Sequence, residues 1–364
     1  MVLFFTFWVK PGRAAATLRI MTMDAPMHDR ARARLDFAQR HLHSRALDLA
    51  PASADASFRS YWRVRAGAES WIVMDAPPDK ENLAPWLDID RRLRAAGVNA
   101  PEVLAEDRDQ GFLLLADLGI RTYLPELNEA SVSALYADAF DALLRMQTGV
   151  NAHGLPAYDR TRLLAEMELL PEWFLKRHLG FAPNCEERDL IEAAFTRLVH
   201  SAIEQPQSFV HRDYHSRNLM ITSQNNPGVI DFQDAVIGPI SYDLVSLLRD
   251  CYIEWPGARV DDWVEHYRKR LVATGVTDAD AAQFRRWFDL MGLQRHLKVL
   301  GIFCRLWYRD GKAGYLADLP LTLRYALRVA RAYPEFTDFA ALLERAVAGR
   351  NITRPRQDTV AATP

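Results

Sequence analysis

Apolar positions recur at helical spacing over residues 29–49, through Leu35, Ala38, Leu42 and Leu49, and predict an amphipathic helix. The period then changes. Residues 61–65 and 70–74 read as two strands joined by the turn Ala66-Gly67-Ala68-Glu69. Helical spacing returns over 79–96 through Leu83, Leu87, Ile89 and Leu93, and Gly97 supplies a stop. Further strands are expected at 102–105 and 112–116. A small antiparallel sheet carrying one helix thus accounts for roughly residues 50–117.

Beyond Asp117-Leu118-Gly119 the pattern turns helical, with helices expected over 130–146, 161–178, 187–205, 260–273, 281–308 and 321–332. Short apolar stretches and loops interrupt it over 208–230. The expected fold is α+β, with a sheet-rich lobe over 29–117 and a larger helical lobe over 118–349. The joint between two such lobes is a natural ligand cleft. Residues 350–364 are polar and expected to be disordered.

Residues 3–9 form an apolar run too short to span a bilayer. Lys10 and Arg13 follow that run, the reverse of a secretory signal. Met21, Met23 and Met27 stand just before the first convincing helix, so translation is expected to start at one of them. Residues 1–28 are then an extension outside the fold. No later segment is a transmembrane candidate.

Composition narrows the partners. Lys+Arg 45 against Asp+Glu 47 gives a formal charge of -2, which does not suit a general nucleic-acid binder. Cys185, Cys251 and Cys304 are odd in number, far apart and without a CxxC pair. They make neither a disulfide framework nor a cysteine-rich zinc site, and are expected to be buried free thiols in a cytoplasmic protein. No membrane, nucleic-acid or obligate protein partner is expected, which leaves a small molecule.

The block carrying chemistry is Phe209-Val210-His211-Arg212-Asp213-Tyr214-His215-Ser216-Arg217-Asn218-Leu219-Met220, followed by Gly228-Val229-Ile230-Asp231-Phe232-Gln233-Asp234. Two apolar strand-like fragments each end near a carboxylate, and an amide lies five positions beyond the first. Phosphoryl transfer needs such parts: a carboxylate to orient and deprotonate an attacking hydroxyl, and oxygen ligands for magnesium.

His-Arg-Asp-x-His-x-x-Asn followed by Ile-Asp-Phe resembles the catalytic and metal-binding segments of the aminoglycoside phosphotransferase and choline kinase superfamily. It is distantly similar to the protein-kinase pattern H-R-D-x-x-x-x-N followed by D-F-G. The resemblance implies a bilobal protein-kinase-like fold that uses ATP and Mg2+. It makes Asp213 the catalytic base and Asn218 and Asp231 the magnesium ligands, and His215 matches a histidine found two residues after the base. Asp243, near a predicted helix start, is expected to brace the catalytic loop. Residues 112–119 resemble the hinge between the lobes, so backbone groups at Leu115, Ala116 and Asp117 are expected to hold adenine.

The nucleotide lobe departs from the protein-kinase scheme. No G-x-G-x-x-G is present; small residues around Ser57 stand in its place and permit close approach to phosphate. The strand expected to carry the phosphate-binding lysine has Met74. Arg63 and Arg65 share one face of the preceding strand and are either phosphate-binding or solvated. Asp88 or Asp90 lies on the helix that would supply the lysine's partner. The missing lysine raises a non-enzyme alternative, a nucleotide-binding pseudokinase, against which the intact base and both metal ligands argue.

Three stretches, at 73–78, 231–235 and 294–303, are similar to the cytosolic kinases that phosphorylate N-acetylmuramate and N-acetylglucosamine at C1 in peptidoglycan recycling. This similarity runs from about residue 29 to 345 and includes Met74, which makes the missing lysine a subfamily trait. An amino-sugar substrate is implied. Arg295, His296, Arg305, Trp307 and Tyr308 are candidates for its recognition, and an arginine suits the lactyl carboxylate of N-acetylmuramate. At helical spacing the same residues also read as packing or surface groups. An aminoglycoside phosphotransferase is the alternative enzyme, and it would favour an acidic pocket.

Overall fold

The computed structural model describes residues 25–54 and 58–356. Of the extension expected over 1–28, residues 1–24 lie outside the described residues, as do Ser57 and the tail from 357 onwards, whereas 25–28 belong to the first helix and so are not outside the fold.

Helix α1 spans Ala25–Leu42 and ends earlier than the spacing suggested, because Leu49 belongs to a strand. Five strands follow: β1 (Asp48–Ala54), β2 (Ser60–Ala66), β3 (Glu69–Asp75), β4 (Val103–Asp107) and β5 (Phe112–Ala116). They form one antiparallel sheet in the order β1-β2-β3-β5-β4, with α2 (Leu83–Ala95) inserted between β3 and β4. Strand β1 was not expected. It carries Pro51 and small residues, which an edge strand tolerates because only one side needs ladder bonds.

Alternation sorts the sheet into two faces. Val64, Val73, Phe112 and Leu114 pack with Phe37 and Ala38 of α1. Met74, Leu113 and Leu115 face the other way, into the main core with Trp86, Ile89 and Leu93 of α2. Asp75 clamps α1 to β3: it takes Arg30 at 2.6 Å and Arg34 at 2.8 Å, and Arg34 lies 3.6 Å over the Trp62 ring. Beside it, Gly111 has φ +73 and approaches Ala76 so closely that a Cβ would sit 1.9 Å from the Ala76 carbonyl oxygen.

The helical part comprises α3 (Tyr123–Glu126), α4 (Val132–Gly149), α5 (Arg160–Met167), a π-helix (Leu170–His178) and α6 (Cys185–Ile203). After it come α7 (Tyr242–Leu248), α8 (Gly257–Ala273), α9 (Ala281–Tyr308), α10 (Leu319–Ala332) and α11 (Thr337–Val347). The single helix expected over 161–178 is therefore broken into α5 and a π-helical segment with Pro171 at its start. Helix α9 runs through the centre, and every residue from 287 to 301 is buried. Gly301 lets it touch neighbouring backbone, since a Cβ there would meet the Leu169 carbonyl carbon at 2.4 Å.

Two expectations are corrected here. Residues 350–356 pack back onto the helices: His178 Nε2 lies 2.8 Å from the Ile352 carbonyl, and the Arg356 amide donates to the Tyr308 hydroxyl at 3.0 Å. Cys251 and Cys304 are buried free thiols, but Cys185 is exposed at the start of α6. No helix among the described residues is long and apolar enough to cross a membrane.

Candidate active site

Four short strands deliver the chemical groups: β6 (Gln207–Val210), β7 (Leu219–Met220), β8 (Gly228–Val229) and β9 (Val236–Pro239). β6 pairs with β9, and β7 pairs with β8. Asn218 stands just before β7, and Asp231 lies two residues past the end of β8. The hairpin therefore brings them together: the Ile230 amide donates to the Asn218 carbonyl at 3.1 Å, and Asn218 Nδ2 reaches Asp231 Oδ2 at 3.3 Å. Asn218 Nδ2 also donates to the Asp213 carbonyl at 3.0 Å. The three residues singled out from the sequence thus meet at one point.

The catalytic loop is held from below. Arg212 and Asp231 adopt φ of 77 and 64, a region that non-glycine residues occupy only when their surroundings fix them. Asp243, at the start of α7, accepts the His211 amide at 2.7 Å and the Arg212 amide at 3.0 Å, which is the brace expected of it. His211 is fully buried, and burial lowers its pKa to about 4, so its ring is neutral. Its Nε2 lies 3.1 Å from the Ile230 carbonyl and its Nδ1 accepts the Asp213 amide at 3.3 Å, linking the two carboxylate-bearing segments. Asp250 fixes the far side of the loop through the Ser216 amide at 3.0 Å, the Ser216 hydroxyl and the Tyr252 amide at 3.1 Å.

These groups open into a cavity of about 620 Å³ walled by the sheet on one side and α9 on the other. Leu115, Ala116 and Asp117 line its sheet side. The Ala116 amide is already bonded to the Glu102 carbonyl at 2.8 Å. The Asp117 carboxylate is engaged too, by Arg63 at 2.6 and 3.0 Å and by the Gly119 amide at 2.9 Å. Arg63 is therefore neither solvated nor unpaired: it ties β2 to the segment after β5, with Nη2 also 2.7 Å from the Gly119 carbonyl. Arg65 is exposed. Met74 is wholly buried in the core, and Asp88 pairs with Arg91 and Arg92. Asp90 is buried, and its Oδ1 has no hydrogen-bond partner.

On the α9 side the expectations divide. His215 and Arg295 face the cavity. His296 does not: its ring is wholly buried, stacks on Tyr325 at 5.0 Å and lies with Nε2 3.0 Å from the Arg249 carbonyl. Tyr308 is tied to His178 at 3.1 Å and to the Arg356 amide. Arg305 and Trp307 are also absent from the cavity wall. Sequence reasoning missed Lys298, which lines the cavity one turn beyond Arg295, and the aromatic wall of Tyr252, Phe303 and Tyr315. Residues 295, 298, 299 and 302 share one helix face, but with α9 buried on all sides that spacing alone does not mark the face that lines the cavity.

Electrostatics set the charge state of Asp213. Burial raises the Asp213 carboxyl, but the charges of Lys298, His215, Arg212 and Arg295 outweigh burial and hold it below the ordinary carboxylate range. His215 is itself lowered by burial, so the standing cations at neutral pH are Lys298, Arg212 and Arg295. Asp213 is consequently ionised, and competent to accept a proton.

A family model, described as the phosphotransferase enzyme family, matches residues 48–288. The chain belongs to that family. A relative from Pseudomonas putida, named N-acetylmuramate/N-acetylglucosamine kinase, is 44% identical over 302 residues, 83% of this chain and 89% of its own. A relative of the same name from Neisseria meningitidis serogroup B is 45% identical over 305 residues, covering 82% of this chain and 90% of its own. Among solved structures, a choline kinase from Streptococcus pneumoniae aligns with a TM-score of 0.59 at 12% identity, over 83% of this chain and 99% of its own. The ADP-bound aminoglycoside phosphotransferase APH(2'')-Ib aligns at 0.54 and 14%, over 80% and 97%. The bilobal protein-kinase-like fold is shared with these solved structures, and this phosphotransferase is a kinase of that fold.

Proposed function

We propose that this phosphotransferase moves the γ-phosphoryl group of ATP onto the anomeric hydroxyl of N-acetylmuramate, N-acetylglucosamine or both, giving the sugar 1-phosphate. The observation that carries this reading is the charge of the α9 wall. It presents Arg295 and Lys298 beside Tyr252, Phe303 and Tyr315, with Arg217 at the rim. A cationic wall repels a polyamine such as an aminoglycoside and accepts a neutral or acidic sugar, whose ring faces suit the aromatic side chains. The names of the relatives supply the substrate class.

The residues fit a magnesium site. Both side chains offer hard oxygen atoms, and the Asn218 amide nitrogen is already used toward Asp213 and Asp231, which leaves its Oδ1 for a cation. Gln233 bonds Asp231 Oδ1 at 2.9 Å and steadies that carboxylate. Mg2+ held there with ATP neutralises charge on the transferring group. Ile72 and Leu115 would flank adenine, beside Ala116 at the end of β5 and Asp117 just after it.

Asp213 orients the sugar hydroxyl in line with the γ-phosphorus and takes its proton as the oxygen–phosphorus bond forms. The bond to the β–γ bridging oxygen breaks, and ADP departs with the electron pair. An anomeric hydroxyl is more acidic than an ordinary alcohol, so a base with a depressed pKa suffices. Free thiols and the use of ATP support a cytoplasmic location.

The test is direct. Purified protein with ATP, Mg2+ and N-acetylmuramate or N-acetylglucosamine should yield a sugar 1-phosphate by phosphorus NMR. Phosphate on another hydroxyl, or no turnover with either sugar, overturns the reading.

A further inference from the structure

Among the described residues, four lysine or arginine side chains are buried nearly completely: Arg34, Arg249, Arg295 and Lys298. Three have a carboxylate in contact. Arg34 takes Asp75 at 2.8 Å, Lys298 takes Glu166 at 3.0 Å, and Arg249 takes Asp289. Arg295 makes no ion pair among the described residues, and its one side-chain hydrogen bond runs from Nη1 to the Cys251 sulfur at 3.5 Å.

A buried cation without a counter-anion is costly, and the cost is relieved when an anion arrives from outside. The carboxylates that bear on Arg295 through space are Asp213, Asp250 and Asp243, together with the Cys251 and Tyr242 side chains, and Asp243 is engaged by the His211 and Arg212 amides. Asp250 is saturated by Ser216 and Tyr252, and Asp213 must keep its oxygens for the acceptor hydroxyl. Lys298 has a carboxylate in contact, Glu166, which it shares with Arg212. Arg217 differs again, because it is exposed, hydrated and stacked 3.5 Å over the Tyr252 ring. Arg295 is therefore the buried cation on this wall with no carboxylate in contact, and its planar fork matches a carboxylate with two parallel bonds.

We infer that Arg295 binds a carboxylate carried by the acceptor, so that the site selects an acidic amino sugar over its neutral counterpart. The inference rests on the amino-sugar reading above and names the group that separates its two substrates. Arg295 and Asp213 open into one cavity, so an acceptor with a carboxylate and a hydroxyl on one small ring engages both. The lactyl group of N-acetylmuramate is such a carboxylate, and N-acetylglucosamine has none.

The experiment compares kcat/KM of the wild-type protein for N-acetylmuramate, its methyl ester and N-acetylglucosamine. The acid should exceed the ester by about 10–100-fold, the size of a charge-assisted pair lost from a buried site. In Arg295→Met the ratio of acid to neutral sugar should collapse by the same factor. Equal rates for acid and ester in the wild type overturn the inference without any variant. A fall in Arg295→Met that leaves the ratio unchanged also overturns it, and assigns Arg295 to the phosphoryl group instead. Collapse of the ratio in Arg217→Met but not in Arg295→Met moves the carboxylate to the rim. Absence of turnover with both sugars is a different result, since it overturns the amino-sugar reading itself.

Discussion

Lys298 Nζ lies 3.0 Å from Glu166 Oε2, and the same Glu166 carboxylate also takes Arg212 and the Tyr158 hydroxyl. One buried anion thus balances two cations, one on α9 and one in the catalytic loop, and both bear on Asp213.

This arrangement makes the pair unequal. Glu166→Gln leaves Lys298 and Arg212 buried without a carboxylate in contact, a loss of about 3–5 kcal/mol for an orphaned buried charge. Lys298→Met leaves Glu166 still paired with Arg212, so its cost should be smaller. Urea denaturation of the two variants should show the larger midpoint shift for Glu166→Gln. Equal or reversed shifts would mean that Glu166 is not the common counter-ion.

Asp213 and Asp231 should separate by kinetics. Asp213→Ala should lower kcat by about 10²–10⁴-fold, the range of a lost general base, with ATP affinity almost unchanged. Asp231→Asn keeps the shape but removes charge from the proposed metal site. It should raise the magnesium concentration needed for half-maximal rate by about 100-fold, because even indirect metal contacts are worth 10–100-fold. A magnesium titration of both variants distinguishes them, and full activity in Asp213→Ala refutes the assignment of the base.

Gly301 should not accept a methyl group. The new Cβ would meet Leu169 backbone and side-chain atoms at 2.4–2.5 Å, and backbone cannot move aside as a flexible side chain does. Gly301→Ala should destabilise by about 1–3 kcal/mol, as overpacking in a close-packed core does. A thermal melt within one degree of wild type would show that α9 can shift away from Leu169.

Legibility from sequence followed the range of the contacts involved. Strands β2, β3 and β5 were readable because one face packs on α1 and the other on α2, so apolar side chains mark them. Strand β1 was not, because Asp48–Ala54 holds small residues and Pro51 and gains strand character only by pairing with β2. The meeting of Asn218 and Asp231 was readable, since the β7–β8 hairpin brings the two side chains together. Lys298 was not: α9 is buried on all sides, which removes the amphipathic signal that tells an inward lysine from an outward one. His296 failed for the same reason, as its neighbour Arg295 faces the cavity while it turns to Tyr325. Two of the three partners of Glu166, Arg212 and Lys298, come from distant segments, and no local spacing announces them.

Asp90 supplies a prediction about pH. Burial on α2 pushes its carboxyl from 3.8 up to about 7; Arg94 opposes that and Glu102 adds to it. Arg94 is itself paired with Glu102 at 3.0 Å, which weakens its help to Asp90. Because the folded-state pKa lies above the unfolded one, the folded protein holds a proton that the unfolded chain releases between about pH 4 and 7. Stability from this group therefore falls as pH rises through that window, and the loss is complete above it. Asp90→Asn abolishes the titration. Its Tm should match wild type near pH 4.5 and exceed it by about 2 °C or more at pH 8, since each kcal/mol moves Tm by about 2–4 °C in proteins of 150–250 residues. Melting curves at the two pH values check this. A variant that loses stability equally at both would show instead that Asp90 is held by a charge-dependent contact in the folded protein.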